Sequence, residues 1–445
     1  MMHLAEINSK SITDTDRADA DFHVVRFDTI QQLHQQFKNL GELCEFPRTK
    51  TPPKDLYFRT GIPVIKLKNI SNYFLEFNNT DYIPEDSYSE FIQPKRGDIL
   101  ITATGEGTIG RVGIFENDIK CIVTGEVMIV RPRFINPYFL FAYLRSSYGR
   151  YQLERFARGS TGQTHLYSRD VALIPVPQVS EGLQKEIEEL VKQAHQKKKL
   201  ADEKYEEAKR SLYELLGFDE INLECEKSFE VESKEAFSSD RYDPEYHQPK
   251  YNKIIEILNK SGFKVEKLER VVNISMQKIN PKANPTKKIK YVELGDINPS
   301  TGEIESFSEL YVYEAPSRAR MVIRSGDILV ASLSGSLDNI GIVPQELDGE
   351  VASTGFLVIN SDNYLSEFLF LLFRSEIMKK QLEQKAAGTI MKAVPKSEFG
   401  NLLVPIVPKQ KQENIAELVK QSFSLRKKAK QLLDEATKRV ENFCK

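Results

Sequence analysis

Grouped carboxylates are the first residues whose spacing could do chemistry. Asp16, Asp19 and Asp21 stand together, and so do Asp240, Asp243 and Glu245. Such sets can hold the divalent ion of a nuclease. Neither has a lysine at a catalytic spacing on a strand, and each opens a module ahead of any core. Capping and ion pairing with Arg17 and Arg241 account for them better. TGEGTIG at 104–110 is glycine-rich but lacks the spacing and the following helix of a dinucleotide site, so it reads as a turn. NPYF at 136–139 faintly resembles a methyltransferase motif, yet it lacks the second proline and no glycine-rich cofactor loop precedes it. It reads as a helix start, with Asn136 as N-cap and Pro137 in the first turn. The chain contains no GxxxxGK[ST] loop, no HExxH and no cysteine–histidine cluster.

Local positive charge offers a different chemistry. Arg145, Arg150, Arg155, Arg158 and Arg169 face one acid, Glu154, between 145 and 169. Arg374, Lys379, Lys380, Lys385, Lys392 and Lys396 face Glu376 and Glu383 between 374 and 396. Each cluster includes a small polar loop, Gly159, Ser160 and Thr161 in one and Gly388 and Thr389 in the other. Arginine and lysine fix phosphates, while serine, threonine and glutamine read base edges. Two further basic stretches, PRTKTPPKD at 47–55 and QKINPKANPTKK at 277–288, precede strands. The candidate nucleic-acid-binding set is therefore Arg48, Lys50, Lys54, Thr104, Arg158, Ser160, Thr161 and Gln163 in the first half. In the second it is Lys278, Lys282, Lys287, Ser334, Lys385, Thr389 and Lys392. A single basic run is usually a solvated face, but matched runs in two places are harder to dismiss.

The matching reflects a duplication. LQKEIEELVKQ at 183–193 returns as KQENIAELVKQ at 411–421, an offset of 228 residues. GDILIT at 97–102 returns as GDILVA at 326–331, and TGEVMIV at 124–130 as TGFLVIN at 354–360. FLFAYLRSS, ARGSTGQ and LIPVP recur in the same order. A period this long is a repeated domain. Within each half, short β-branched and aromatic runs separated by Gly, Pro and Asn predict strands and turns. Amphipathic patterns over 137–158 and 364–387 predict helices.

Each half closes with one long helix. Ile187, Ala194, Ala201, Ala208 and Leu215 recur every seven residues, and so do Ile415, Ser422, Ala429, Ala436 and Phe443. Val191, Tyr205 and Leu212 form a second row, as do Val419, Leu433 and Val440. A sustained heptad is the seam of a helix pair, and small residues permit close approach. The two helices are expected to pair antiparallel, with Ile187, Ala194, Ala201 and Ala208 facing Ile415, Ser422, Ala429 and Ala436. The first helix should stop at Gly217. An acidic, aperiodic stretch at 218–237 reads as a linker.

The bulk composition fits this picture. The 445 residues have room for two to four domains, and 40% apolar residues suffice for cores. Net charge is −2, so no global basic field exists. Cys44, Cys121, Cys225 and Cys444 are unpaired in spacing, which fits a reducing cytosol. MMHLAEINSK has no apolar run, so no secretory signal is expected, and nothing approaches about 18 consecutive apolar residues.

The series FPRTKTPPKDLYFRTGIPVIKLKNI, RGDILIT, TGEVMIV, RGSTGQTHL and LIPVPQVSEGLQKEI, present twice, resembles the type I restriction-modification specificity subunits. The resemblance covers nearly the whole chain. The glutamate–glutamine pair usual before the long helix reads Ser-Glu-Gly-Leu-Gln in one half and Pro-Lys-Gln-Lys-Gln in the other. The resemblance implies an α+β fold: two duplicated α/β target recognition domains separated by a pair of long antiparallel coiled-coil helices, related by a pseudo-two-fold axis. Its boundaries here would be 1–179 for the first recognition domain and 180–217 for the first spacer helix. The acidic linker and second recognition domain would occupy 218–408, and the second spacer helix 409–445. It implies a non-catalytic cytoplasmic subunit that reads a bipartite asymmetric target in double-stranded DNA. It also implies partners, namely two modification (methyltransferase) subunits and ATP-dependent restriction subunits, and no membrane. This chain would carry no cofactor or metal; S-adenosylmethionine, ATP and magnesium would belong to the partners. Competing readings are the specificity subunit of a type II-like methyltransferase or nuclease system, and a coiled-coil adaptor that does not bind DNA.

Overall fold

The computed structural model describes residues 36–77, 80–105, 107–159, 164–218, 223, 225–239, 241–388 and 392–444. They form two compact units. One comprises residues up to Lys199 together with Arg426 onward, and the other Leu200–Leu425. Both mix helices with largely antiparallel sheets, an α+β architecture.

The first unit is built on a four-stranded antiparallel sheet in the order Cys44–Glu45, Val127–Pro132, Ile99–Thr102, Val112–Ile114. A three-stranded sheet pairs Asp81–Ile83, Ile62–Ile65 and Ile122–Val123. The second unit repeats the first sheet as Asn273–Ile274, Phe356–Asn360, Ile328–Ala331, Ile340–Ile342. Its other sheet has four strands, Ser308–Tyr311, Lys288–Val292, Val351–Ser353 and Ala319–Val322. Register is duplicated as well. Ile99 pairs with Val130, and Ile328 pairs with Ile359. The repeated Gly-Asp ahead of these strands sets the turn. Gly97 and Gly326 take φ of 87° and 85°, which favours glycine. The next aspartates, Asp98 and Asp327, accept from the Lys95 and Arg324 amides at 2.8 Å.

The amphipathic stretch after the sheet differs from the reading above. It is two helices in each unit, Pro137–Arg145 then Ser147–Phe156, and Ser366–Phe373 then Glu376–Lys385. The break falls at a serine. Ser146 and Ser375 leave helical geometry and accept from the Gly149 and Met378 amides, the role that suits a hydroxyl at an N-cap. Asn136 caps the preceding helix, accepting from the Tyr138 and Phe139 amides at 2.9 and 3.2 Å with Pro137 at the first position.

The long helices are Glu181–Leu216 and Lys409–Phe443. In the first unit Ile187, Val191 and Ala194 share one buried cluster with Ala429, Leu433, Ala436 and Val440. In the second, Ala208, Leu212 and Leu216 share another with Ile415 and Val419. Ser422 Oγ donates to the Ala201 carbonyl at 2.8 Å, a distance only a small-residue seam allows. All eight seam residues are buried. The strict heptad fails at its ends. Leu215 is only half-buried and Phe443 is exposed, while Leu216 and Cys444 are fully buried. A helix with 3.6 residues per turn drifts about 20° per heptad, so after four heptads the seam has moved nearly one residue. Gly217 ends the first helix at φ 68°, with the Phe218 amide donating to the Tyr213 carbonyl at 2.9 Å. Phe218, which opens the acidic stretch, is buried in the core, and that stretch overlaps a short helix, Ser233–Ser239.

His195 on the first long helix sits edge-on to Phe74, with ring centroids 5.4 Å apart. Burial, then Lys198 and Arg145, push its pKa down to about 4. The folded protein therefore disfavours the charged ring. Its stabilising contribution is complete above pH 6.5 and is lost as pH falls toward 4, by up to about 3 kcal/mol. Phe423 occupies the corresponding position of the other half. His195→Phe should therefore flatten the loss of stability between pH 6.5 and 4 in urea melts. An unchanged acid slope would reject this account.

Candidate nucleic-acid interface

The residues that flank the small polar loops pair in the same hairpin fashion in both units. In the first unit Arg158 and His165 exchange backbone hydrogen bonds at 2.9 and 2.7 Å. Ala387 and Ala393 do the same in the second, both at 2.9 Å. The returning strand is tied to the main sheet alike in both. The Leu166 amide donates to the Ala103 carbonyl and the Val394 amide to the Ser332 carbonyl, each at 2.8 Å. Thr104 forms a bridge to His165, and the Ser334 amide donates to the Lys392 carbonyl at 2.9 Å. Ser160, Thr161, Gln163 and Thr389 lie outside the described residues.

The basic stretches lie against the same sheet ends. Thr49 Oγ1 donates to the Val127 carbonyl at 3.1 Å, and Thr51 Oγ1 accepts from the Gly125 amide at 3.0 Å. The Glu126 carbonyl of that turn accepts from Ala103, where the hairpin also attaches. In the second unit the Ser275 amide donates to Val358, and residues 277–279 run beside Ala319–Val322. Arg48, Lys50, Lys54, Lys278, Lys282 and Lys287 are all exposed. Among the described residues none of the six enters an ion pair. Three cations without counter-charges on loops at the sheet end of each unit give each unit a surface suited to phosphates.

Much of the charge counted between 145 and 169 and between 374 and 396 is turned inward. Arg374 donates to Tyr205 Oη at 2.7 Å and to the carbonyls of Pro299 and Ser300 at 2.9 and 2.7 Å. It also reaches the carbonyls of Asp338 and Ile340, both at 3.3 Å. Its counterpart Arg145 donates to the Asn72 carbonyl and lies over the Tyr73 and Phe141 rings. Lys379 pairs with Asp338, Lys380 with Glu383 and Lys385 with Glu398. Arg158 pairs with buried Asp170 at 2.7 Å. Arg150, Arg169, Lys392 and Lys396 are left on the surface.

Of the acidic group, Asp16, Asp19, Asp21 and Asp240 lie outside the described residues, as does Arg17. Arg241 forms a two-bond pair with Asp243 at 2.7 and 2.8 Å. It also donates to the Ala386 carbonyl at the hairpin base, at 3.2 Å. Thr104, Gly105 and residues 107–110 turn between strands Ile99–Thr102 and Val112–Ile114. Among the described residues no group of three His, Cys, Asp or Glu is placed to hold a metal ion. No helix there is long and apolar enough to cross a membrane.

Two features escaped the sequence reading. Half-buried His165 and exposed Tyr167 and Arg169 form a ledge at the start of the short helix Ser168–Val171. The His165 and Tyr167 rings stack at 6.2 Å, and the Arg169 guanidinium lies 5.7 Å from the Tyr167 ring centre. No sequence period marked them, because the chain changes from extended to helical between Tyr167 and Arg169. The other feature is a glutamine repeated at the head of each long helix. Gln184 Oε1 accepts from the Asn136 amide at 3.3 Å, and Gln412 Oε1 from the Leu365 amide at 2.7 Å. Their amides donate to Val179, and to Asn363 and Val407. Each glutamine thereby joins a long helix to the start of its unit's amphipathic helix.

The model of the type I restriction modification DNA specificity domain matches residues 34–210 and again 260–437. The chain belongs to this family. The specificity chain is 22% identical, over 92% of both lengths, to a putative type I restriction enzyme MjaX specificity subunit from Methanocaldococcus jannaschii. Over 35% of its length it is 37% identical to the HsdS subunit from Thermoanaerobacter tengcongensis, covering 40% of that chain with a TM-score of 0.32. Over 91% of its length it resembles the type I restriction-modification S subunit from M. genitalium, 15% identical over 92% of that chain with a TM-score of 0.41.

The two candidate cations on the hairpins should now behave differently. Lys392→Ala should leave the melting curve unchanged and lower the slope of log affinity for DNA against log salt by about one. Arg158→Ala leaves the buried Asp170 carboxylate with only the longer Arg169 contact at 3.8 Å and should cost about 1–3 kcal/mol of stability in denaturant titrations. Reversal of the two phenotypes would show the roles to be misassigned.

Proposed function

We propose that this type I specificity subunit reads a bipartite, asymmetric sequence in double-stranded DNA, one half-site per recognition domain. The observation that carries this reading is the pair of equivalent hairpins. Each is rooted by the same hydrogen bonds and flanked by exposed lysines, and their sequences, ARGSTGQTHL and AAGTIMKAV, differ at most positions. A shared frame with different side chains is what two different half-sites require. The first recognition domain would be 1–179, the acidic linker and second recognition domain 218–408, and the helices at 180–217 and 409–445 would set the unspecified middle of the target. Two modification subunits holding S-adenosylmethionine would dock on the subunit, with ATP- and magnesium-dependent restriction subunits joining them in the cytoplasm. The subunit itself contributes recognition and no catalytic group.

The direct test is methylation profiling of DNA from cells expressing this subunit with its modification partners. A split methylated motif is expected. Methyl transfer by the isolated chain at a rate near that of the complex would reject the reading, and salt-independent binding would favour an adaptor that does not touch DNA. Deleting one heptad from each long helix preserves the seam phase and shortens each by about 10 Å, close to three base pairs of rise. The unspecified middle should then shorten while both half-site sequences persist. A changed half-site with an unchanged middle would remove the helices from that role.

A further inference from the structure

The four cysteines are not chemically alike. Cys44, Cys121 and Cys444 are buried, and burial pushes each thiol up to about 12. Such thiols are inert at neutral pH. Cys225 alone is exposed, and its Sγ lies 3.1 Å from Nζ of Lys250. Lys250 is almost wholly buried, with 2% of its surface exposed. A buried ammonium needs partners for its protons. Here they are Glu245 Oε1 at 2.9 Å, the Cys225 sulfur and the face of the Tyr251 ring at 4.8 Å. Burial opposes the Lys250 charge, but Glu245 and Cys225 outweigh it and hold the ammonium above the usual lysine range. The sulfur therefore completes the coordination of a buried positive charge. The backbone beside it is held in place. The Glu226 amide donates to Gln248 Oε1 at 2.9 Å, and Gln248 Nε2 donates to the Glu226 carbonyl at 3.1 Å.

We propose that Cys225 and Lys250 form an oxidisable pair that closes, on exposure to a peroxide, into a covalent sulfur–nitrogen link. The Cys225 thiolate attacks one peroxide oxygen. The O–O bond breaks, the S–O bond forms, the sulfur is oxidised to the sulfenic level and the other oxygen leaves as water. Loss of one ammonium proton to the hydroxide expelled from the peroxide frees the lone pair of Lys250 Nζ, which attacks that sulfur while a second proton passes to the departing oxygen. The S–O bond breaks, its oxygen also leaves as water, and no second oxidant is consumed. One peroxide yields one link and two waters. The link would tie the segment ahead of the second recognition domain to helix Lys250–Lys260, and a thiol reductant would reopen it.

The test uses the full-length chain treated with hydrogen peroxide, then peptide mass mapping. A peptide pair joined through Cys225 and Lys250, two hydrogens lighter than the separate peptides and cleaved by dithiothreitol, is expected. Iodoacetamide should modify Cys225 in the native chain about threefold or more faster than in Lys250→Met, which removes the cation 3.1 Å from the sulfur. Lys250→Arg keeps a cation beside the sulfur, so it should retain fast alkylation and form no link; it carries the test if Lys250→Met does not fold. Equal alkylation in the native chain and the methionine variant, absence of the joined peptide, or a joined peptide at Cys225 in the arginine variant overturns the proposal. None of these readouts requires DNA, so they stand apart from the recognition reading.

Discussion

The structure depends on how closely two helices can approach. Ala201 and Ser422 meet with a hydroxyl on a carbonyl at 2.8 Å, and Ala194, Ala429 and Ala436 line the first unit's stretch of the seam. Methyl-sized side chains here let the larger neighbours Ile187, Val191, Leu433 and Val440 pack as core residues. The helix pair is thus a wall of each hydrophobic core. The first unit's core includes Leu140, Phe141 and Tyr143 together with Leu433 and Val440. The second unit's includes Phe370 and Phe373 together with Leu212 and Leu216. A bulkier residue in the seam would strain both the helix contact and the core behind it.

On this shared frame the halves have diverged by exchanging partners. Asp98 is met by Arg131 in a two-bond pair at 2.9 and 2.7 Å, whereas its copy Asp327 accepts from the Asn360 amide at 2.9 Å. Without the guanidinium, burial raises the Asp327 pKa, with Asn360 offsetting only part. Arg374 gathers four carbonyls and a tyrosine hydroxyl, while Arg145 meets one carbonyl and two aromatic faces. Backbone geometry has been kept while the groups that satisfy it have changed. This is how a duplicated module preserves its fold and alters its surface.

The duplication, the strands after Gly-Asp, the Asn136 cap and the buried seam were legible because each rests on local pattern or on period. What was not legible depends on tertiary partners. No sequence rule says that Arg374 will bind carbonyls or that Arg158 will find Asp170, so a count of bases overstated the exposed charge. The serine breaks were hidden because apolar periodicity continues across Ser146 and Ser375. The slip from Leu215 to Leu216 follows from helix geometry, but it emerges only after several turns. Of the candidate interface, the loops were located by their composition, and the hairpin closure by backbone bonds at Arg158 and Ala387 was not.

The first unit is completed by residues that are synthesised long after the rest of it. Ile187, Val191 and Ala194 leave the ribosome well before Ala429, Leu433, Ala436 and Val440, which cover them. At about 5–20 residues per second, the intervening stretch takes on the order of 10–45 s to make. Throughout that interval the first unit has an uncovered apolar helix face and cannot finish its core. Its folding is therefore timed by translation, and a stall in the second half of the message would leave an aggregation-prone fragment rather than a free-standing domain.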